Sequence, residues 1–313
     1  MKQTLLILMA VAFSLCLAVT TGCQTASPSS GSNEPPTKTK AQIEAEEKAF
    51  AETKAKAEEG DSKAQGLLAW EYTYGEKKDP ALAFEWSKKA AAQSDSKGEF
   101  ILGRSFHIGQ GVKQDFKEAV KWYRKAADQG LANAQNNLGE MYYNGKGVEQ
   151  DFKEAVKWYQ KAVDQGVAEA QFNLGRMYAE GKGVEQDFKE AVKWYRKADE
   201  QGNALAQFNL GAMYNNGQGV KQDYAEAVKW YRKAAEQGEA IAQFNLGAMY
   251  HRGDGVTKNL FTTYAWYTIA AANGHTLAVT WKANTAKQLT RAQLAQAEAY
   301  AKELIAKNPK LIK

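Results

Sequence analysis

The chain has 313 residues, of which 44% are hydrophobic and 25% are charged. This composition is typical of an ordinary folded protein and excludes a disordered chain or one with many membrane spans. The net charge is +5, but acidic and basic residues are interspersed, as in DFKEAVKWYRKAADQG. A nucleic-acid-binding protein would gather its positive charge on one face, so we expect no nucleic acid partner.

The N-terminus has the pattern of an export signal. Lys2 is followed by an apolar stretch from Leu5 to Val19, and small residues follow that stretch. The stretch is too short and wrongly flanked for a membrane-spanning helix. It therefore predicts a signal peptide over residues 1–22.

The end of this signal resembles the lipobox of bacterial lipoproteins, because Gly22 directly precedes Cys23. Thr20 stands where that family prefers Leu, and ordinary cleavage with an incidental Cys23 is the alternative. The resemblance implies that Cys23 is lipidated and becomes the new N-terminus, so that acyl chains hold the protein to a bilayer. With Gln24 next, it implies an outer-membrane lipoprotein facing the periplasm; secretion or surface exposure is the alternative.

Two segments of different composition follow. Residues 23–40 are rich in Ser, Thr, Pro, Gly and Lys, which cannot bury enough apolar surface to order the backbone, and they predict a flexible tether. Residues 41–59 are strong helix formers and predict an N-terminal helix. Because no cysteine follows Cys23, neither a disulfide nor a thiolate zinc site nor a cysteine nucleophile is available in the body of the protein.

Residues 60–274 repeat with a period of 36 residues. The period is carried by tryptophans at positions 86, 122, 158, 194, 230 and 266. Such a period indicates a solenoid, here of about six units, in which each unit buries its apolar surface against its neighbours.

One unit, AEAQFNLGRMYAEGKGVEQDFKEAVKWYRKADEQG, resolves into two helices. In the first, an apolar stripe is formed by Ala170, Leu174, Met177 and Tyr178. Gly181 and Gly183 then end the helix, since glycine readily adopts left-handed backbone angles.

The second helix of the unit is predicted to begin at Asp187, a good N-cap residue, with Glu190 placed as in a capping box. Its apolar stripe comprises Ala191, Trp194, Tyr195 and Ala198. Residues 275–313 predict C-terminal capping helices, the last of them running from Thr290 to about Lys307.

The repeated pattern A-x-x-x-L-G-x-M-Y-x-x-G-x-G-V-x-x-D-x-x-x-A-x-x-W-Y-x-K-A-A-x-x-G resembles the Sel1-like repeat family, which is related to tetratricopeptide repeats. It covers roughly residues 60–285 and recurs four times, at 131–166, 167–202 and 203–238 and, with a changed second helix, at 239–274. The resemblance implies an all-α, right-handed α-solenoid that acts as a scaffold or adaptor for protein complexes. Some cysteine-rich secreted relatives bind or cleave penicillins, but this chain lacks their paired cysteines.

In such a solenoid the first helices line a concave wall, which we call the first-helix wall. The partner is expected to be a protein or peptide, bound by a monomer. Aligning the units predicts that the partner-binding residues are Phe100, Arg104, His107, Asn136, Glu140, Tyr143, Phe172, Arg176, Phe208, Asn215, Phe244, His251 and Arg252. The phenylalanines at 172, 208 and 244 would form an aromatic ladder flanked by arginines, the residue types enriched in interface hot spots. Alternatively, they simply complete the packing between first helices.

The sequence offers little for catalysis. The three histidines, His107, His251 and His275, have no metal-ligand spacing, so we expect no metal site, no cofactor and no histidine-based triad. The Ser-x-x-Lys match over residues 94–97 lies in a turn between units and is interpreted as accidental. The alternative function, a cell-wall or β-lactam hydrolase, requires a nucleophile with a base in reach, and the sequence suggests none.

Overall fold

The computed structural model describes residues 38–313, so the predicted signal peptide, Cys23 and most of the predicted tether lie outside the described residues. The chain divides into two units, residues 1–48 and 49–313. In the described part of the first unit, helix α1 (Lys40–Glu58) begins, and the backbone N–H of Gln42 donates to Thr39 Oγ1. The second unit holds the end of α1 and all of the repeats.

Residues 38–313 form fifteen α-helices and a 3-10 turn, and they contain no strand, which confirms the predicted all-α repeat solenoid. The first helices of the repeats are α2 (Ser62–Tyr74), α4 (Ser96–Ile108), α6 (Ala132–Asn144), α8 (Ala168–Glu180), α10 (Ala204–Asn216) and α12 (Ala240–Arg252). The second helices are α3 (Pro80–Ala92), α5 (Phe116–Asp128), α7 (Phe152–Val163), α9 (Phe188–Glu200), α11 (Tyr224–Glu236) and α13 (Leu260–Ala272). Two further helices, α14 (Thr276–Ala286) and α15 (Arg291–Lys307), and a 3-10 turn (Pro309–Leu311) follow.

The second helices begin at side-chain N-caps, as predicted. The prediction that Glu190 completes a capping box was wrong. Asp187 Oδ1 accepts hydrogen bonds from the backbone N–H groups of Lys189 and Glu190, at 2.8 and 3.1 Å. The backbone N–H of Asp187, however, already donates to the carbonyl of Tyr178 in the first helix. The N–H of Asp187 is therefore not available to the Glu190 side chain, which forms an ion pair with Lys193 instead.

The glycine loop that ends each first helix also joins neighbouring units. Gly181 and Gly183 adopt φ angles of 66° and 72°, in the left-handed region that favours glycine. A Cβ on Gly183 would lie 2.3 Å from the carbonyl oxygen of Phe152, the first residue of the preceding second helix. The second glycine is thus required twice, for its backbone angles and for the close approach of two chain segments.

Within each of the last five units the two helices meet where the first helix carries glycine and the second carries tyrosine, whereas the first unit has Ala69 and Ser87 at these positions. A Cβ on Gly175 would lie 2.8 Å from the ring of Tyr195. The same contact, with distances of 2.6 to 2.9 Å to the ring, recurs in the pairs Gly103–Tyr123, Gly139–Tyr159, Gly211–Tyr231 and Gly247–Tyr267. The tyrosine ring therefore packs directly on the backbone of the first helix.

Between units, side-chain amides form a repeated hydrogen-bond network. Gln165, at the end of α7, donates to the carbonyl of Gly130 in the preceding unit and to Gln135 Oε1, at 3.0 and 2.8 Å. Gln135 in turn donates to the carbonyl of Ala127. The two glutamines bond each other and two carbonyls at the end of α5, so the buried amide of Gln135 is not left unpaired.

The C-terminal segment continues this network rather than extending the stack. Helix α15 packs against α13, and Leu311 in the 3-10 turn is buried. Its carbonyl accepts hydrogen bonds from Gln243 and Asn273, at 2.8 and 2.6 Å. Consequently α14 keeps an outer face on which Leu277, Val279 and Trp281 are exposed.

The contact between glycine and tyrosine predicts that Gly175→Ala destabilises the protein. Helix propensity alone would favour alanine by about 1 kcal/mol. The collision with Tyr195 outweighs this, because overpacking costs about 1–3 kcal/mol. Urea unfolding of Gly175→Ala should therefore show a lower free energy of unfolding. The control Ala179→Gly, in the same helix, should also be less stable, but because glycine has a lower helix propensity than alanine. A gain in stability for Gly175→Ala would contradict the packing argument.

Candidate functional site

The strongest candidate for a binding site is a groove in the first-helix wall, near the start of the repeats. It encloses about 360 Å³ and is lined by Trp70, Tyr74, Phe100, Arg104, Asn133, Asn136, Asn137, Val167 and Glu169. These residues come from α2, α4 and α6 and from the start of α8. Four consecutive units thus contribute to one groove.

One end of the groove is aromatic and basic. The rings of Trp70 and Tyr74 are 4.7 Å apart, and those of Trp70 and Phe100 are 5.8 Å apart. The guanidinium of Arg104 lies 5.0 Å from the centre of the Tyr74 ring, and its only described hydrogen bond is to the neutral Gln110. Arg104 is therefore oriented by an aromatic ring and keeps its charge free of an acidic partner among the described residues.

The middle of the groove consists of amides. Asn173 on α8 donates a hydrogen bond of 3.0 Å to Asn136 on α6, in the preceding unit. The Nδ2 atom of Asn136 lies 3.4 Å from Asn137 Oδ1. Phe100 and Asn136, both predicted to bind a partner, are only 3% and 8% exposed. They form the floor of the groove, while Arg104 offers more accessible surface.

A second polar cluster joins α6 to α8 on the same wall. Tyr143 donates to Glu180 at 2.7 Å and accepts from Lys182, and Lys182 also pairs with Glu180 at 2.9 Å. The guanidinium of Arg176 lies 4.1 Å from the centre of the Tyr143 ring. Burial alone would raise the pKa of Glu180, but hydrogen bonds from Lys182 and Tyr143 outweigh it and lower that pKa.

The three phenylalanines of the predicted ladder each lie against the buried tyrosine of their own unit. Ring centres are 5.9 Å apart for Phe172 and Tyr195, 5.9 Å for Phe208 and Tyr231, and 5.2 Å for Phe244 and Tyr267. The phenylalanines are half-buried. Each ring thus covers the core tyrosine with one face and leaves part of its surface on the wall.

The remaining predicted residues are spread over the wall. His107 lies 3.3 Å from the hydroxyl of Tyr123, and burial lowers its pKa. Glu140 is half-buried on α6, and Asn215 donates to Asn216. Toward the C-terminus, His251 contacts Trp281 edge-on and Arg252 pairs with Asp254.

Beyond α8 the first-helix wall becomes apolar. At the second position of successive first helices, Leu205, Ile241 and Leu277 are 45%, 53% and 59% exposed. Ala212 and Ala248 occupy the ninth position, where earlier units carry charged residues. The wall therefore changes character from polar to apolar along the stack.

Sequence reasoning missed Trp70, Tyr74 and Trp281 as wall residues. The first unit is two residues shorter than the others, so its wall positions are out of register with the period of 36. Trp70 nevertheless stands 34 residues before Arg104, and Trp281 stands 36 residues after Asn245. Aligning the first unit with a step of 34 would have identified Trp70, and extending the step of 36 beyond the last unit would have aligned Trp281 with Asn245.

The motifs interpreted as accidental have structural roles. Ser94 adopts a φ of 59° in the turn, and Asp95 caps α4 by accepting from Gly98 N–H. His275 caps α14 and stacks on Phe244, with ring centres 4.4 Å apart. Over residues 38–313, no group of three or more potential ligands is placed to hold a metal ion, and no helix is long and apolar enough to cross a membrane.

Comparisons with known proteins identify the repeats. The family model described as Sel1 repeat matches six times, over residues 62–95, 96–131, 132–167, 168–203, 204–239 and 240–275. A Sel1 repeat protein from Oxalobacter formigenes is 34% identical with a TM-score of 0.66, over 74% of this chain and 96% of that one. A comparison with curated proteins gave no match.

Other solved structures are similar at lower scores. A protective antigen of uropathogenic Escherichia coli displaying an SLR fold is 26% identical with a TM-score of 0.36, over 84% of this chain and 96% of that one. Cysteine-rich protein B of Helicobacter pylori is 28% identical with a TM-score of 0.33, over 42% of this chain and 94% of that one.

The cluster around Glu180 predicts a pH-dependent contribution to stability. Because the folded pKa of Glu180 is lowered, its contribution is present at neutral pH and is lost as the pH falls through that pKa. Glu180→Gln should therefore reduce the free energy of unfolding at pH 7 by less than about 1 kcal/mol. The difference from the unsubstituted protein should shrink as the pH falls below the ordinary pKa of a glutamate and vanish once the pH is below the lowered pKa of Glu180, measured by urea unfolding. The exposed loop residue Glu185 serves as control, and an equal pH effect of Glu185→Gln would refute the assignment.

Proposed function

The chain belongs to the Sel1 repeat family, and we propose that it is an envelope-anchored scaffold that binds a protein or peptide partner on its concave first-helix wall. Sel1 repeat proteins are generally scaffolds for protein–protein interaction. The proposal locates this activity on one surface of this particular chain.

The observation that carries the proposal is the groove at Trp70, Tyr74 and Arg104. Aromatic and arginine side chains supply most of the binding energy in protein interfaces, because they bury large areas and make directed polar contacts. Here they converge from separate helices, and Arg104 is already held against an aromatic ring. A partner would gain its contacts without first ordering these side chains.

The exposed row of aliphatic residues supports the same surface. Leu205, Ile241 and Leu277 are large, apolar and exposed on consecutive first helices. Single exposed aliphatic residues are ordinary, but a row on one face is typical of an interaction surface. The row lies on the same wall as the groove, so one partner could contact both.

The chemistry of the groove favours binding over catalysis. Sel1 repeat proteins are typically non-catalytic scaffolds. The polar groups that line the groove are a guanidinium, three amides, a tyrosine hydroxyl and a carboxylate. Such groups suit the recognition of a peptide or protein surface, and none of them is an activated nucleophile.

We also propose that Cys23 anchors the protein in the outer membrane, facing the periplasm. The proposal is supported by the apolar segment, by Gly22 before Cys23 and by Gln24 after it. A tether between this anchor and the repeats would let the first-helix wall meet a partner at a distance from the bilayer.

Capture of a partner from native envelope extract tests the binding surface. We expect the mature protein to retain a partner that the variant Leu205→Asp, Ile241→Asp loses, since charges on the apolar row prevent its burial. The matched control is Leu82→Asp, Tyr224→Asp, which changes exposed apolar residues on second helices. Circular dichroism must show that all three proteins are folded. Equal loss in both variants would place the binding surface elsewhere.

Metabolic labelling with a radioactive fatty acid tests the anchor. The full-length chain should incorporate label and sediment with outer membranes, whereas Cys23→Ser should do neither, because the serine hydroxyl is not a substrate for thioether formation. Cys16→Ser is the control and should leave labelling unchanged. An unlabelled wild-type protein in the soluble periplasmic fraction would refute the anchor.

A further inference from the structure

The ninth position of the first helices carries alternating charges. Arg104 on α4, Glu140 on α6 and Arg176 on α8 occupy this position in three consecutive units. None of the three forms an ion pair within 4.0 Å with another residue in the described part of the chain. Two of them lie over tyrosine rings instead, Arg104 over Tyr74 and Arg176 over Tyr143. The wall thus presents a row of positive, negative and positive side chains without an ion-pair partner among the described residues.

The ninth position of the first helices loses its charge in the following units. Ala212 and Ala248 take the ninth position on α10 and α12, and exposed aliphatic residues take the second position from α10 to α14. At that second position the earlier first helices carry polar residues, namely Lys97, Asn133 and Glu169. We call the two parts the charged half (α4, α6 and α8) and the apolar half (α10, α12 and α14).

The spacing of the units matches an extended chain. Neighbouring first helices touch through side chains, as in the contact of Asn173 with Asn136 at 3.0 Å, so their axes are about 10 Å apart. A peptide extended in the polyproline II conformation rises about 3.1 Å per residue with three residues per turn, so every third side chain faces the same side and meets the next unit. A helix rises only about 1.5 Å per residue and would need about seven residues for the same step.

We infer that the first-helix wall binds an extended peptide whose charges complement this row. The peptide carries an acidic, a basic and an acidic residue, each three positions apart, followed by apolar residues. This inference rests on the proposed function and names the chemistry of its partner.

Each part of the wall has a defined role toward such a peptide. Arg104 and Arg176 bind the two carboxylates, since a guanidinium can donate two parallel hydrogen bonds to a carboxylate. Glu140 binds the basic residue between them. The amides of Asn136, Asn137 and Asn173 both donate and accept, which suits the alternating N–H and C=O groups of a peptide backbone. The apolar half buries the remaining side chains of the peptide.

The order of charges is the testable part of the inference. The probe is a display library of random eighteen-residue peptides, selected separately on the wild-type protein and on a variant with Arg104→Glu, Glu140→Arg and Arg176→Glu. The wild-type protein should enrich peptides with acidic, basic and acidic residues at three-residue spacing. The reversed variant should enrich the opposite order. Lys153→Glu is the control, because it changes the net charge by the same amount as the reversed variant but at an exposed position of α7. It should enrich the same peptides as the wild-type protein.

A milder variant protects the test against misfolding of the triple variant. Arg104→Gln keeps a polar side chain and should weaken binding of an enriched synthetic peptide about tenfold, measured by fluorescence anisotropy. Enriched peptides without charge order, or the same peptides on wild-type and reversed proteins, would overturn the inference.

The two proposals fail separately. A partner captured from native extract through the apolar row, together with peptides that lack charge order, would leave the proposed function standing and overturn the inference. That result would indicate a folded partner surface rather than an extended peptide. Peptides in the expected order would support the inference whatever the extract yields.

Discussion

The structure of the repeats depends on the direct contact between a tyrosine ring and the backbone of the neighbouring helix. In the last five units a glycine, such as Gly139, leaves the space that a tyrosine ring, such as that of Tyr159, fills. This contact sets how close the two helices approach, and alanines at Ala155 and Ala162 are fully buried beside it. Close packing of this kind makes the site intolerant of even one added methyl group. The helix pair is therefore a rigid unit, which can be stacked many times.

The same tyrosines connect the core to the first-helix wall. Burial raises the pKa of Tyr231 and Tyr267 to about 12, so they stay neutral at physiological pH. The phenylalanines of the wall pack against these tyrosine rings, as Phe208 packs against Tyr231. Contact with the core tyrosines consequently restricts the positions of the phenylalanine side chains on the wall. A partner meets a surface whose shape is fixed by the interior packing, which lowers the conformational entropy lost on binding.

Contacts between units combine a continuous apolar core with directed hydrogen bonds. Gln201 bonds the carbonyl of Gly166 and the side chain of Gln171, and Arg196 donates to Tyr214 of the next unit at 2.6 Å. Hydrogen bonds demand particular geometry, so they fix the rotation of one unit relative to the next. The wall positions of successive units are thereby brought into rows. This alignment is what allows single residues per unit to act together on one ligand.

The sequence by itself determined the helices, their pairing and the positions that are buried. The period of 36, the glycines at 181 and 183 and the cap at Asp187 are local signals, and the structure follows them. Only the tertiary structure decided how the wall is built. It shows Phe100 as the buried floor of a groove, Trp70 at its rim, and Glu180 bonded to Tyr143 from another unit. Such contacts depend on the rotation between units, and no local pattern encodes that rotation because it results from the packing of all side chains between them.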